Sequence, residues 1–211
     1  MKIIKHIIFD LDGVLLVDSN GNDIHSGCFL QAIQTVIPEI NITTEFHDTN
    51  LKGITTKEKL KKLAISEELS NKITSLKNEL VNHFINNSIE SDTLKKELCK
   101  TLVFLDYTLY CVSNSDRNIV EICLLKLGIL DYFSGIISKS DVKETKPSPT
   151  PYLYLYTKFH LEPTSCLVLE DSPSGIESAR LSGANIMEIS NHSNVTLEKI
   201  LFHIKSLNNM K

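Results

Sequence analysis

Apolar positions along this chain follow two different periods. IIKHIIF (residues 3–9) is a short apolar run, the pattern of a strand buried on both faces toward its end. From about residue 25 to 105 the spacing turns helical. Phe29, Ala32, Ile33 and Val36 share one face of a helix that Pro38 closes. A second helix, rich in lysine and leucine, is predicted from Thr56. A third runs from about Ser70 to Ile85, with Ile73, Leu76, Leu80 and Phe84 on one face. NNSIESD (86–92) breaks that pattern, and a further helix carries Leu94, Leu98, Leu102 and Leu105.

Beyond this point strands and helices alternate. YTLYCVS (107–113), GIISKS (135–140), CLVLED (166–171) and ANIMEIS (184–190) read as strands. Between them lie helices from Arg117 to Leu127, ended by Gly128, over 151–159, opened by a proline, and over SPSGIESARLSG. Such alternation implies right-handed crossovers and a Rossmann-like, mostly parallel α/β sheet with helices on both faces. The all-helical stretch after the first strand then reads as an inserted small domain. The expected division is a core of residues 1–17 and 91–211 and a helical cap of residues 18–90.

Composition narrows the function classes. With 211 residues, 42% hydrophobic and 23% charged, the chain suits an ordinary globular protein. A net charge of −4 gives no basic field for nucleic acid or an anionic membrane. Lys5, His6, Asp10 and Asp12 interrupt the apolar start, which speaks against a signal peptide. Five cysteines, at 28, 99, 111, 123 and 166, include no CxxC pair. They are expected to be buried thiols in a reducing cytosol. A monomer is the expected state, since no apolar surface stripe is left over.

Candidate chemistry collects at the strand ends, where ligands sit in open α/β sheets. Asp10 and Asp12 follow the first strand; Ser113, Asn114 and Ser115 follow the second. Lys146 follows the third, and Glu170, Asp171 and Ser172 follow the fourth. The carboxylates are hard oxygen ligands that suit Mg²⁺, which would also relieve their mutual repulsion. Ser113 and Asn114 stand at the mouth of a helix, where an anion is favoured. Lys146 adds a point positive charge. Together these groups describe a phosphate site.

Four segments carry a family resemblance: DLDGV (10–14), SNS (113–115), KPSPTPY (146–152) and EDSPSG (170–175). Their order and spacing resemble the four motifs of the haloacid dehalogenase superfamily. The helical insertion resembles the cap of its subclass of small phosphatases and β-phosphoglucomutases. The resemblance implies an Mg²⁺-dependent phosphatase acting on a small phosphorylated metabolite. Asp10 would be the nucleophile that forms an aspartyl-phosphate, and Asp12 the general acid and base. Asp10, the Asp12 backbone carbonyl, Asp171 and Glu170 would surround the metal. Ser113, Asn114, Lys146 and Gly13 would attend the phosphoryl group.

The segment Leu51-Lys52-Gly53-Ile54-Thr55 resembles the cap loop of β-phosphoglucomutases, which makes Lys52 a substrate-side residue. That family places an arginine for a second phosphate where this chain has Thr56, with Lys57 one step later. A lysine out of register does not reproduce a bidentate guanidinium. A phosphosugar mutase is therefore the second reading. NGND (20–23) lengthens the segment after Asp18 and Ser19, and leaves His25 either a substrate contact or an interface histidine. At the far hinge, Ile89-Glu90-Ser91-Asp92 stands in place of the subclass's Pro-Gly turn.

Overall fold

The computed structural model describes residues 3–17 and 23–209. Asp18 and Ser19, and with them the expected start of the cap, lie outside the described residues. Five strands form one parallel sheet: β1 (His6–Phe9), β2 (Thr108–Val112), β3 (Phe133–Ile137), β4 (Cys166–Glu170) and β5 (Asn185–Glu188), in the order β3-β2-β1-β4-β5. β1 lies at the centre, flanked by β2 and β4. The three strands whose ends carry the most polar groups are therefore neighbours.

Side chains alternate across this sheet and fill two cores. On one face Ile7, Phe9, Leu109, Cys111, Leu167 and Leu169 pack against α5 (Thr93–Phe104), α6 (Arg117–Lys126) and α9 (Leu197–Asn209). On the other, Ile8, Tyr110, Val112 and Val168 pack against α7 (Thr150–Phe159) and α8 (Pro173–Leu181). All five cysteines are buried and free. Among the described residues no helix is long and apolar enough to cross a membrane.

Between β1 and α5 lie α1 (Ile24–Val36), α2 (Thr44–Asn50), α3 (Thr56–Lys62) and α4 (Glu67–Ser88). They hold a third core of Phe29, Ala32, Ile33, Leu51, Leu60 and Ile73. Asp23 caps α1 by accepting from the His25 N–H at 2.9 Å. A capping box of Thr55 and Glu58 starts α3.

The structure corrects several sequence expectations. α4 continues through Asn86–Ser88, and the break falls at Ile89. α2 has Phe46 as its only large apolar residue, too little to give a periodic signal. α9 was carried by Leu197, Ile200 and Ile204 at helical spacing and was not anticipated. In α5, Leu98 and Leu102 are buried but Leu94 is 84% exposed, because the inward face drifts to Lys95 and Cys99. β3 ends at Ile137, where Ser138 leaves the ladder to cap a 3₁₀ turn with Asp141.

Candidate active site

Parallel pairing delivers Asp10 to the sheet's carboxyl edge: its N–H donates to the Leu169 carbonyl at 3.0 Å. The chain then turns tightly, with Gly13 at φ +85° donating to Leu16 at 2.8 Å. A Cβ on Gly13 would stand 2.1 Å from Asp171 Oδ2. Gly13 thus serves the site by letting the Asp171 carboxylate approach the backbone. Asp12 projects from the same turn toward the end of β2.

Lys146 is the charge hub. Its buried ammonium donates to Asp10 Oδ1 at 2.7 Å, Glu170 Oε2 at 2.6 Å and the Val112 carbonyl at 2.8 Å, so all three N–H groups are used. Burial alone would lower its pKa, but Asp10 and Glu170 hold it well above the usual lysine value. Glu170 is fully buried, and its other oxygen accepts from the Ser172 N–H at 3.2 Å and hydroxyl at 2.8 Å. Asn114 brackets the lysine's backbone, accepting from Lys146 N–H and donating to its carbonyl, both at 3.1 Å.

Asp10, Glu170 and Asp171 bring carboxylate oxygens within 4.8 Å of one another. Burial, then Glu170, push Asp10 well above the usual carboxylate range, while Lys146 opposes. Burial likewise raises Asp171 to about 6, opposed by Lys52. Asp171 Oδ1 is buried without a hydrogen-bond partner. Two ammoniums, Lys146 and Lys52, do not balance three carboxylates, and an orphaned oxygen needs a donor or a cation. An all-oxygen donor set with that deficit fits a hard divalent ion.

Asp12 has a separate set of neighbours. Its Oδ2 accepts from Ser115 Oγ at 3.2 Å, and its Oδ1 is buried without a hydrogen bond. Ser115 Oγ also lies 3.1 Å from His25 Nε2, and Lys77 Nζ lies 2.7 Å from His25 Nδ1. An ammonium only donates, so His25 Nδ1 accepts and Nε2 carries the proton. Nε2–H then donates to Ser115, and the serine hydrogen turns to Asp12. Burial, then Lys77, push His25 down to about 3, so the imidazole is neutral. Burial, then Asp23, raise Asp12 to about 8. At neutral pH this carboxyl holds its proton.

The inserted helices close over these groups. Lys52 pairs with Asp171 Oδ2 at 2.6 Å, and the Gly53 carbonyl accepts from Asn114 at 3.2 Å and Ser174 at 2.7 Å. Gly53 sits at φ +80°, and a Cβ there would meet Ser174 Oγ at 2.1 Å. Beneath lies a cavity of about 480 Å³. Asp10, Asp12, Ser113, Asn114, Lys146, Asp171 and Lys52 all line it, whereas Glu170 lies behind Lys146. Ser115, expected there from its place after the second strand, lines it too, as do Asp23, Lys59 and Lys77, which the sequence does not single out. The two lysines occupy helices with no local chemical signature.

A family model for haloacid dehalogenase-like hydrolases matches residues 7–189. The chain belongs to that family. It is similar to the fructose-1-phosphate phosphatase YqaB of Escherichia coli (strain K12), 32% identical over 77 residues, or 36% of this chain and 41% of that protein. The curated relatives first matched are thus spanned over about two fifths of their length. A phosphoglycolate phosphatase of Vibrio vulnificus (strain YJ016) is 26% identical over 185 residues, covering 85% of this chain and 81% of that protein. The solved β-phosphoglucomutase of Clostridium difficile superposes with a TM-score of 0.69 at 22% identity, over 97% of this chain and 99% of that one.

Proposed function

We propose that the protein is a phosphatase that hydrolyses a small phosphorylated metabolite through a phosphoryl group carried on Asp10. The observation that carries this reading is the division of labour between two aspartates separated by a single residue, Leu11. Asp10 is held by an ammonium and Asp12 by a neutral serine–histidine pair. The named activities of the phosphatase relatives support the same class.

In the first step an Asp10 oxygen attacks phosphorus and the ester P–O bond breaks. Asp12 gives its proton to the departing oxygen, a role its pKa of about 8 supports at neutral pH. In the second step the Asp12 carboxylate takes a proton from water, whose oxygen attacks phosphorus and frees Asp10. Lys146 anchors Asp10 and neutralises charge gathering on the phosphoryl group, with Ser113 and Asn114 lining the same wall. Asp10, Asp171 and the Asp12 backbone carbonyl would hold Mg²⁺, with Glu170 completing the acidic trio. When bound, that ion offsets the negative charge shared by the carboxylates and the phosphoryl oxygens.

A phosphosugar mutase, the second reading, shares all of these parts and differs in handing the phosphoryl group back to its sugar. The test is phosphate release from a panel of phosphorylated sugars, nucleotides and short acids, with Mg²⁺ and with EDTA. Metal-dependent release that is lost in Asp10→Asn is expected. Conversion of β-glucose 1-phosphate to its 6-phosphate without release would overturn hydrolysis in favour of the mutase.

A further inference from the structure

The second residue of α1 is the histidine that stands beside Asp12. The ring of His25 leaves the insertion and reaches the core. Its Nε2 lies 3.1 Å from Ser115 Oγ and 3.5 Å from Asp12 Oδ1, and its Nδ1 lies 2.7 Å from Lys77 Nζ on α4. Where the ring stands depends on where the backbone of residue 25 is held.

Asp23 holds that backbone. Its Oδ1 accepts from the His25 N–H at 2.9 Å, and its Oδ2 accepts from the buried Ser26 hydroxyl. Its carbonyl accepts from the Gly27 N–H at 3.1 Å, which starts the helical ladder. A helix start leaves its first amides without intrahelical partners, and the carboxylate supplies one to His25. Burial opposes ionisation of Asp23, but the His25 contact, the Ser26 hydroxyl and the Lys59 and Lys52 charges hold its pKa below the usual carboxylate value.

Asp23 lines the cavity, yet among the described residues its hydrogen-bond partners all belong to the first turn of α1. Its effect on the chemistry must therefore pass through His25. Without the cap this turn frays, and the ring carried at its second position swings off Ser115 Oγ. Small misplacements of that kind cost rate steeply.

Resting on the phosphatase reading, we propose that Asp23 is a positioning residue for protonation of the leaving group. By fixing the first turn of α1 it holds the His25 ring against Ser115, and so the serine hydroxyl against Asp12.

The test uses two esters that differ in their need for the Asp12 proton. When glycerol 1-phosphate reacts, the P–O bond breaks and the proton goes to the departing alkoxide. p-Nitrophenyl phosphate releases a stable phenolate, which leaves with the electron pair and needs no proton. Wild type, Asp23→Ala and Asp23→Asn are compared by kcat/KM, which covers the step in which the leaving group departs. The ratio of the two esters in one preparation does not depend on how much of it is folded. Asp23→Ala should lose roughly 10- to 100-fold with glycerol 1-phosphate and less than about threefold with p-nitrophenyl phosphate. Asp23→Asn keeps an acceptor for the His25 amide and should restore the wild-type ratio. Equal losses on both esters in Asp23→Ala, or no loss on either, overturn the proposal.

Imidazole ¹⁵N spectra read the same device without turnover, the His25 signals being assigned by their loss in His25→Gln. The wild type should show a protonated Nε2 and an unprotonated Nδ1. Asp23→Ala should move both signals toward the tautomeric average of a free imidazole, and Asp23→Asn should not. That pattern supports the positioning role even if neither ester is hydrolysed, a result that would sink only the phosphatase reading. A His25 spectrum unchanged in Asp23→Ala overturns the proposal.

Discussion

Lys52 Nζ lies 2.6 Å from Asp171 Oδ2, so a residue of the inserted helical segment grips a carboxylate of the core. The same carboxylate is a proposed metal ligand, and a divalent ion must compete with the ammonium for it. Lys52→Met is expected to tighten Mg²⁺ or Mn²⁺ binding roughly three- to tenfold, the scale of a partly exposed ion pair. Calorimetric titration reads this directly. Unchanged or weaker affinity would mean that Lys52 does not compete.

The Lys77–His25–Ser115–Asp12 chain makes a prediction about pH. In the proposed mechanism Asp12, raised to about 8, acts first as an acid, so kcat/KM should fall as pH rises through that value. Both the Ser115 hydrogen bond and the Lys77 charge pull this pKa down. Ser115→Ala and Lys77→Met should each move the basic limb to higher pH. A limb that stays in place in both variants would detach the chain from Asp12.

Lys146, which the proposed mechanism sets beside the phosphoryl group, also bears on stability. Lys146→Met leaves Asp10 and Glu170 buried without their shared cation. The expected cost is about 3–5 kcal/mol, read by denaturant unfolding. A loss under about 1 kcal/mol would indicate that water or protons compensate the carboxylates readily.

Acid should act on His47 through burial. Its folded pKa lies below 6.5, so the unfolded chain takes up the proton first. The contribution of His47 is therefore complete above about pH 6.5 and is lost as pH falls below it. Asp12 and Asp171, raised by burial, act in the opposite sense, so the useful quantity is a difference. The stability gap between wild type and His47→Phe should narrow from pH 7.5 to 5. A gap that widens or stays constant would show that His47 is already charged in the folded protein.

Much of this was legible because the core's chemistry sits at strand ends. Ile7, Ile8 and Phe9 announce a buried central strand, and whatever follows such a strand must emerge at the sheet's carboxyl edge. Asp10, Asp12, Lys146 and Asp171 could thus be gathered across 160 residues without knowing a single distance. The close approach of Asp171 to Gly13 was not legible, because a turn glycine looks the same in sequence whatever faces it. Lys59, Lys77 and Asp23 were missed for a different reason. Their meaning depends on how α1, α3 and α4 rotate against each other, which no local spacing encodes. His47 carries no signal in the sequence, because only packing buries it beside Phe29.

The central claim is that Asp10 carries the phosphoryl group between two displacements. Stereochemistry at phosphorus tests it most directly. Transfer is followed from an ester whose phosphoryl group is chiral through its oxygen isotopes, to water or an alcohol acceptor. Each in-line displacement inverts the centre, so passage through Asp10 predicts net retention. Net inversion would mean that water attacks the substrate directly, and it would contradict the account.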